Sequence, residues 1–181
     1  LMTFRAFVLS LVVFALGATS ALAAELRYFA YEADSAAARY RSADITLVVK
    51  PGLISTRVLK LYRKRGKDLE LKKPDGTFSL KQLSGAVGED ERDLLDMKLY
   101  AVDPKEGEGF AQGACDGADR AWIAIKAVKP YQPLRIYVLR FDKTKKAPAI
   151  CEVLDYRWRG EFRAPVKGAR MREQLGPLTP L

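Results

Sequence analysis

Residues 154–163, LDYRWRGEFR, alternate aromatic and arginine side chains. Proteins that hold polyanions combine aromatic rings that stack on the ligand with cations that neutralise it. That chemistry needs both residue types on one surface, whereas alternate side chains of a strand point to opposite faces. Tyr156 and Trp158 therefore share one face, and Arg157 and Arg159 share the other. We predict that the two aromatic residues lie in the core and that the two arginines face solvent.

Gly160 interrupts this alternation. A glycine inside a strand is typical of a β-bulge, in which one extra residue shifts the alternation of side chains. Such a bulge would turn Phe162 to the face opposite Trp158, which is the only way for an aromatic residue of this segment to join the arginines.

Two groups of basic residues at predicted turns add to the arginines of this segment. Together with Arg157 and Arg159, the candidate anion-binding residues are Arg63, Lys64, Arg65, Lys67, Lys143, Lys145 and Lys146. If the two turns lie at the same end of the fold, they form a positive rim that attracts polyanions less strongly as salt rises. The alternative interpretation is that lysine-rich turns only keep the strand ends solvated and unpaired.

The residue types of common catalytic sites are missing. The chain has no histidine, which excludes Ser-His-Asp, Cys-His and imidazole metal sites. The acidic residues at 89–93 lie in a polar connector, where no burial would raise a carboxyl pKa. Asp116 and Asp119 do not have the spacing of a calcium loop. We predict a non-enzymatic protein with no metal site and no cofactor.

The N-terminal segment predicts export. Arg5 precedes an apolar run at residues 6–16, and Ala21 and Ala23 have the small side chains that a signal peptidase recognises. The run is shorter than the roughly 20 residues that a membrane-spanning helix needs. We predict cleavage after Ala23, a periplasmic or secreted location, and no integral membrane segment after signal removal.

The two cysteines, Cys115 and Cys151, predict one disulfide. An exported protein meets an oxidising compartment, in which an even number of cysteines indicates pairing. A metal site is disfavoured because there is no Cys-x-x-Cys spacing. In the chain-entropy model, closing a loop of this size stabilises the fold by about 4 kcal/mol.

Alternation of apolar and polar residues dominates the remaining chain. Residues 69–72 and 95–101 have the pattern of strands exposed on one face, whereas 122–128 and 134–141 are apolar on both faces, like central strands. Trp122, which begins the first of these apolar runs, is predicted to lie in the core. The other predicted strands are 26–31, 45–50, 56–64, 77–80 and 150–158.

These segments predict a mainly β fold. Short links with turn residues favour pairing of neighbouring strands. One short helix is expected early in the chain, capped by Asp34 or Ser35, and a second at 79–83 competes with the strand predicted there. We predict a single domain at residues 24–166, an antiparallel barrel or two-sheet sandwich of about eight to nine strands with one or two short helices. It follows the signal peptide at 1–23 and precedes a poorly ordered tail at 167–181.

Two functions are compatible with this sequence. The first is a binding module whose basic turns contact an anionic lipid or glycan of the cell envelope; nucleic acid is scarce in that compartment and is not an expected partner. The second is a barrel that carries a small apolar ligand in its interior. The cavity of such a carrier would be lined by Ile123, Ile125, Ile136 and Val138. An inhibitor of a cell-wall hydrolase is disfavoured, because many such enzymes are basic and the net charge of this chain is +9.

Overall fold

The structure is a computed structural model of the chain. It describes residues 26–52, 56–74, 76, 78–102, 109–116, 118, 120–126 and 128–162. The predicted signal peptide at 1–23 and the predicted tail at 167–181 lie outside the described residues.

Eight antiparallel strands form one sheet, which confirms the mainly β prediction. The strands are β1 Arg27–Ala33, β2 Ile45–Lys50, β3 Arg57–Arg63, β4 Leu69–Glu70, β5 Lys98–Ala101, β6 Ala121–Ile125, β7 Leu134–Asp142 and β8 Ala147–Phe162. Their order is β4-β3-β2-β1-β8-β7-β6-β5, so that no second sheet occurs among the described residues. The sheet is curled, and an isolated bridge between Lys72 and Ala101 connects its two edges.

The sheet consists of two four-stranded meanders joined by β8. Neighbours in sequence pair within β1–β4 and within β5–β8, as the short links predict. The 16-residue strand β8 pairs with β7 along its first part and with β1 along its second part. The register of the β1–β8 pair shifts where Tyr31 faces Trp158 and Ala30 faces Gly160. This irregularity lies at the predicted bulge, and it pairs Phe162 with Tyr28, on the face opposite Trp158.

Local hydrogen bonds define the short helices. The helix α1, Ala36–Arg41, begins after Ser35, whose side chain accepts a hydrogen bond from the Ala38 amide. The helix α2, Leu80–Val87, begins with a capping box between Ser79 and Gln82. A 3-10 helix follows at Glu91–Leu94, and the four-residue helix α3 lies at Ala111–Ala114. No helix of the described residues is long and apolar enough to cross a membrane.

Two sequence predictions in this region are wrong. The described part of 77–80 is not a strand, because the capping box at Ser79 starts α2 there. The strand predicted at 95–101 begins only at Lys98, since the 3-10 helix and a turn precede it. Leu95 consequently lies outside the strand, and 66% of its surface is exposed.

Apolar side chains pack on both faces of the sheet. The interior cluster lies on the concave face and includes Phe29, Tyr31, Leu47, Leu61, Phe110, Leu154 and Tyr156. The outer cluster consists of Leu83, Leu94, Met97, Ala124, Tyr137 and Leu139. Because α2 and the 3-10 helix cover this outer face, β6 and β7 are buried on both sides, which explains why their sequences are apolar at both alternating positions.

The predicted disulfide is present. Cys115, which follows α3, is bonded to Cys151 in β8 with a sulfur–sulfur distance of 2.01 Å and a Cα–Cα distance of 5.0 Å. The bond closes a sequence separation of 36 residues and attaches α3 to the central strand of the sheet.

Candidate functional site

Arg63, the first residue of the predicted basic rim, lies in the protein interior. Only 4% of its surface is exposed, and its guanidinium carbon lies 5.0 Å from the centroid of the Phe110 ring. Its Nε donates a hydrogen bond to the carbonyl oxygen of Lys67. Burial lowers the pKa of Arg63, whereas the Asp68 carboxylate acts in the opposite direction. The prediction of Arg63 as a surface anion-binding residue is therefore corrected.

Most of the other predicted cations near β3 and β8 already have partners. Lys64 Nζ and Arg159 Nη1 lie 3.5 Å and 3.6 Å from the same carboxylate oxygen of Asp44. Arg157 Nε lies 3.1 Å from the Asp34 carboxylate. These pairs are at least partly exposed, so each contributes at most about 1 kcal/mol to stability. Their more important effect is that the positive charge of this region is balanced locally.

Arg65 and Lys67 are exposed on the same turn. Arg65 donates from Nη1 to the carbonyl oxygens of Arg39 and Tyr40, at 3.4 Å and 3.3 Å. Both carbonyls belong to the last turn of α1, where a cation is favourable because the helix dipole is negative at that end. Arg65 therefore supports α1, and neither Arg65 nor Lys67 has an ion-pair partner among the described residues.

The second basic turn connects β7 to β8 and remains strongly positive. Because β1, β3 and β7 run in the same direction, both predicted turns lie at the same end of the sheet. Lys143, Lys145 and Lys146 are exposed and have no ion-pair partner within the described part of the chain. The Asp142 carboxylate accepts hydrogen bonds from the amides of Lys145, at 3.1 Å, and Thr144, at 2.9 Å. These bonds lower the pKa of Asp142 and fix the turn from which the lysines project.

A surface groove of about 990 Å³ lies beside this turn. One wall is aromatic and consists of Phe78, Trp122 and Phe141. Phe78 meets the Trp122 indole edge to face, with ring centroids 5.2 Å apart, and lies parallel to Phe141, with centroids 6.4 Å apart and 1° between the planes. Phe141 is 42% exposed. Trp122, predicted in the core, is half-buried and packs against the outer cluster.

The groove is also basic. Among the described residues, its lining includes the exposed Arg120, Arg140 and Lys143 and one carboxylate, that of Asp142. Arg140 Nη1 lies 3.8 Å from the carboxylate of Asp116, a loose contact with a carboxylate that is 92% exposed. Cations along a concave surface reinforce one another and raise the local concentration of anions. Neutral hydrogen-bonding groups are added by Gln82 and Thr144.

Strand pairing brings these groove residues together. Ala121 pairs with Arg140 and Trp122 pairs with Leu139, so the start of β6 lies against the end of β7. Trp122 and Phe141 lie on the outer face, whereas Arg140, which pairs with Ala121 of the interior cluster, starts from the other face and lines the groove at the end of the sheet. Alternation within residues 154–163 does not reveal this groove, because none of its lining residues belongs to that segment. The available signal was that an arginine precedes an aromatic residue at the ends of two paired strands, at positions 120–122 and 140–141.

The segment at 154–163 has the two faces that its alternation indicates. Tyr156 is 1% exposed, and its hydroxyl lies 2.7 Å from Ser42 Oγ. Burial raises the pKa of Tyr156 well above its ordinary value. Trp158 is half-buried and meets Phe29 and Tyr31 edge to face, with ring centroids 5.2 Å and 5.4 Å apart. Arg157 and Arg159 are exposed on the opposite face of this strand.

The positions named for an apolar-ligand cavity lie in the interior cluster. Ile123, Ile125, Ile136 and Val138 are all buried there, in the same cluster as Phe110 and other large side chains. The aromatic and basic groove lies outside this cluster, and its aromatic wall belongs to the outer face.

No group of residues in the described ranges is arranged to hold a metal ion. Fold and site thus define an all-β domain with an aromatic and basic surface groove. Comparison with protein-family models, with curated proteins and with solved structures finds no match to this chain.

Proposed function

We propose that this protein is a non-enzymatic, exported binding module that holds an acidic component of the cell envelope in the groove beside the β7–β8 turn. The observation that carries the proposal is that the aromatic wall and the cations Arg120, Arg140 and Lys143 line the same groove. Binding sites for small ligands commonly combine apolar and aromatic walls with a few polar groups that fix orientation. Here the polar groups are mainly cations, which select acidic ligands.

The export part of the proposal rests on the signal-peptide pattern and on the disulfide. A bond between Cys115 and Cys151 is compatible with an oxidising compartment outside the cytoplasm.

We further propose that the curled sheet is a barrel. Two hydrogen bonds between the main chains of Lys72 and Ala101, at 3.4 Å and 3.0 Å, support this proposal because they bring the sheet edges together.

Retention on an anionic surface tests this function. The purified protein without its signal segment would be applied to immobilised heparin and, separately, to vesicles that contain phosphatidylglycerol. The test variant neutralises the groove by R120Q, R140Q and K143Q. The matched control, K64Q, R157Q and R159Q, removes the same number of charges from sites that are paired with carboxylates.

We expect the groove variant to elute from heparin at clearly lower salt than the wild type, whereas the control elutes close to the wild type. Cations that are concentrated in a cleft attract an anionic ligand more strongly than cations that are paired with carboxylates, and salt screens this attraction. Equal shifts in both variants would mean that retention follows net charge and not the groove. Failure of the wild-type protein to bind either surface at low salt would overturn the proposal.

A further inference from the structure

Besides cations, the groove contains an aromatic wall, which binding of an acidic ligand does not by itself require. Resting on the proposed function, we infer that the ligand is an acidic polysaccharide, whose sugar rings pack on the Phe78–Phe141 wall while its acidic groups contact Arg120, Arg140 and Lys143. The inference rests on the geometry of the aromatic side chains, on their exposure, and on the size of the groove.

The aromatic side chains of the groove form an ordered wall. The planes of Phe78 and Phe141 differ by 1° and their centroids lie 6.4 Å apart, so that the two rings are stacked in parallel. Trp122 contacts Phe78 edge to face and fixes that ring from the side of the sheet. A single exposed aromatic residue is common on protein surfaces. Two parallel rings supported by a third, inside a groove lined with cations, are suited to a ligand that has flat faces of its own.

A sugar ring has such faces. The C–H groups on one side of a pyranose carry partial positive charge, and the face of an aromatic ring carries partial negative charge, so the two attract in addition to burying apolar surface. The hydroxyl groups at the sugar edge can pair with neutral polar side chains, which Gln82 and Thr144 supply. The carboxylates or sulfates of an acidic sugar match the cations.

A lipid headgroup fits these features less well. A phosphate is a compact charge that lysine and arginine recognise without aromatic faces. Phe141 is 42% exposed and belongs to a concave wall, whereas a membrane surface would need a protruding apolar residue. The groove volume of about 990 Å³ accommodates several linked sugar rings, since small-molecule sites typically measure about 300–1,000 Å³.

The two tryptophans allow a direct measurement of groove occupancy. Trp122 lines the groove, whereas Trp158 packs on Phe29 and Tyr31 elsewhere. Because the chain has only these 2 tryptophans, W158F leaves Trp122 as the sole indole reporter. The probes are a short oligogalacturonate, a polyphosphate of matched charge, and vesicles that contain phosphatidylglycerol, each titrated at low salt.

We expect the oligogalacturonate to shift the Trp122 emission to shorter wavelength in a saturable manner, because a stacked sugar excludes water from the groove. Polyphosphate should bind in a salt-dependent manner without that shift. In the same background, F141L keeps an apolar side chain but removes the ring, and we expect it to weaken oligogalacturonate binding about fivefold to tenfold. Y40L, at an exposed aromatic residue outside the groove, serves as the matched control and should bind like its parent.

The outcomes separate this inference from the proposed function. If polyphosphate and oligogalacturonate bind equally and neither shifts the Trp122 emission, the protein binds anions but not through ring stacking, and the inference is overturned. If only the vesicles shift the emission, the ligand is a lipid, which also overturns it. If no anion binds at all, the proposed function fails as well.

Discussion

The guanidinium carbon of Arg63 lies 5.0 Å from the centroid of the Phe110 ring, inside the end of the sheet that α3 covers. Gly66 packs against the same guanidinium, since a Cβ atom on Gly66 would lie only 3.0 Å from it. A charged side chain that the sequence suggests for the surface thus holds the β3–β4 turn from within. The turn conformation and the position of the arginine depend on each other.

Gly66→Ala tests this dependence against Gly88→Ala. Both glycines have positive φ angles, 90° and 72°, so alanine strains the backbone at either position by about 1 kcal/mol. Only at Gly66 does the new methyl group also meet the buried guanidinium, because nothing lies within 4 Å of the Gly88 position. We expect a loss of about 2–3 kcal/mol for Gly66→Ala and about 1 kcal/mol for Gly88→Ala in urea unfolding. Equal losses would show that Arg63 moves aside freely.

The disulfide joins Cys115, directly after α3, to Cys151 in β8. Replacing Cys115 and Cys151 by alanine should lower the free energy of unfolding by about 2–4 kcal/mol, because the unfolded chain regains the freedom of the closed loop. Urea unfolding with and without dithiothreitol measures it. The reductant should destabilise the wild type to the level of the double variant and leave the variant unchanged. If dithiothreitol also lowered the free energy of unfolding of the double variant, the reductant would be acting on something other than this disulfide.

Acid should weaken the connector between α2 and the 3-10 helix. Glu89 accepts hydrogen bonds from Lys126 Nζ, at 2.8 Å, and from the Tyr137 hydroxyl, and these bonds lower the pKa of Glu89. A carboxyl whose pKa is lower in the folded state contributes stability above its unfolded pKa, and this contribution disappears as pH falls through the folded pKa. Glu89→Gln should therefore cost about 1–2 kcal/mol at pH 7 and progressively less below pH 4.5.

The control for Glu89 is Glu91→Gln, at an exposed residue of the 3-10 helix that has no ion pair among the described residues. Urea unfolding of both variants between neutral and acidic pH gives the comparison. If Glu89→Gln differs from the wild type by the same amount at every pH, the titration of Glu89 does not contribute to acid sensitivity.

Alternation along single strands predicts much of this fold, and its failures have physical causes. Trp158 and Arg157 lie on the two faces that their positions in β8 indicate. The same alternation extended from Leu61 places Arg63 on the core face, but its basic neighbours suggested a surface turn. An arginine can occupy that face here because Phe110 offers its ring and Lys67 its carbonyl oxygen. Both partners come from outside β3, so the strand's own pattern does not reveal them.

The groove is a second feature that the pattern of a single strand does not reveal. Arg120 and Trp122 belong to one segment of sequence and Arg140 and Phe141 to another, and only the β6–β7 register places them together. Phe78 comes from a third segment, positioned by the capping box that starts α2. The pattern within one strand indicates which face each side chain occupies, but not which residue of the neighbouring strand lies opposite, because register also depends on the partner's pattern and on the turn between them. The pattern of a single segment therefore cannot predict a site that is formed by residues of several strands.

The hydrogen bond between Tyr156 and Ser42 connects β8 to the end of α1 within the core. Tyr156→Phe keeps the ring but leaves Ser42 Oγ without this partner, although Oγ retains its contact with the Ala38 carbonyl oxygen at 3.2 Å. The loss should therefore be about 1 kcal/mol, the typical net contribution of one hydrogen bond, and not the larger cost of an unsatisfied buried group. Tyr40→Phe is the matched control, because Tyr40 is 69% exposed and its hydroxyl is accessible to water. Thermal unfolding compares the two, and a decrease of the same size in both variants would rule out a special contribution of the buried pair.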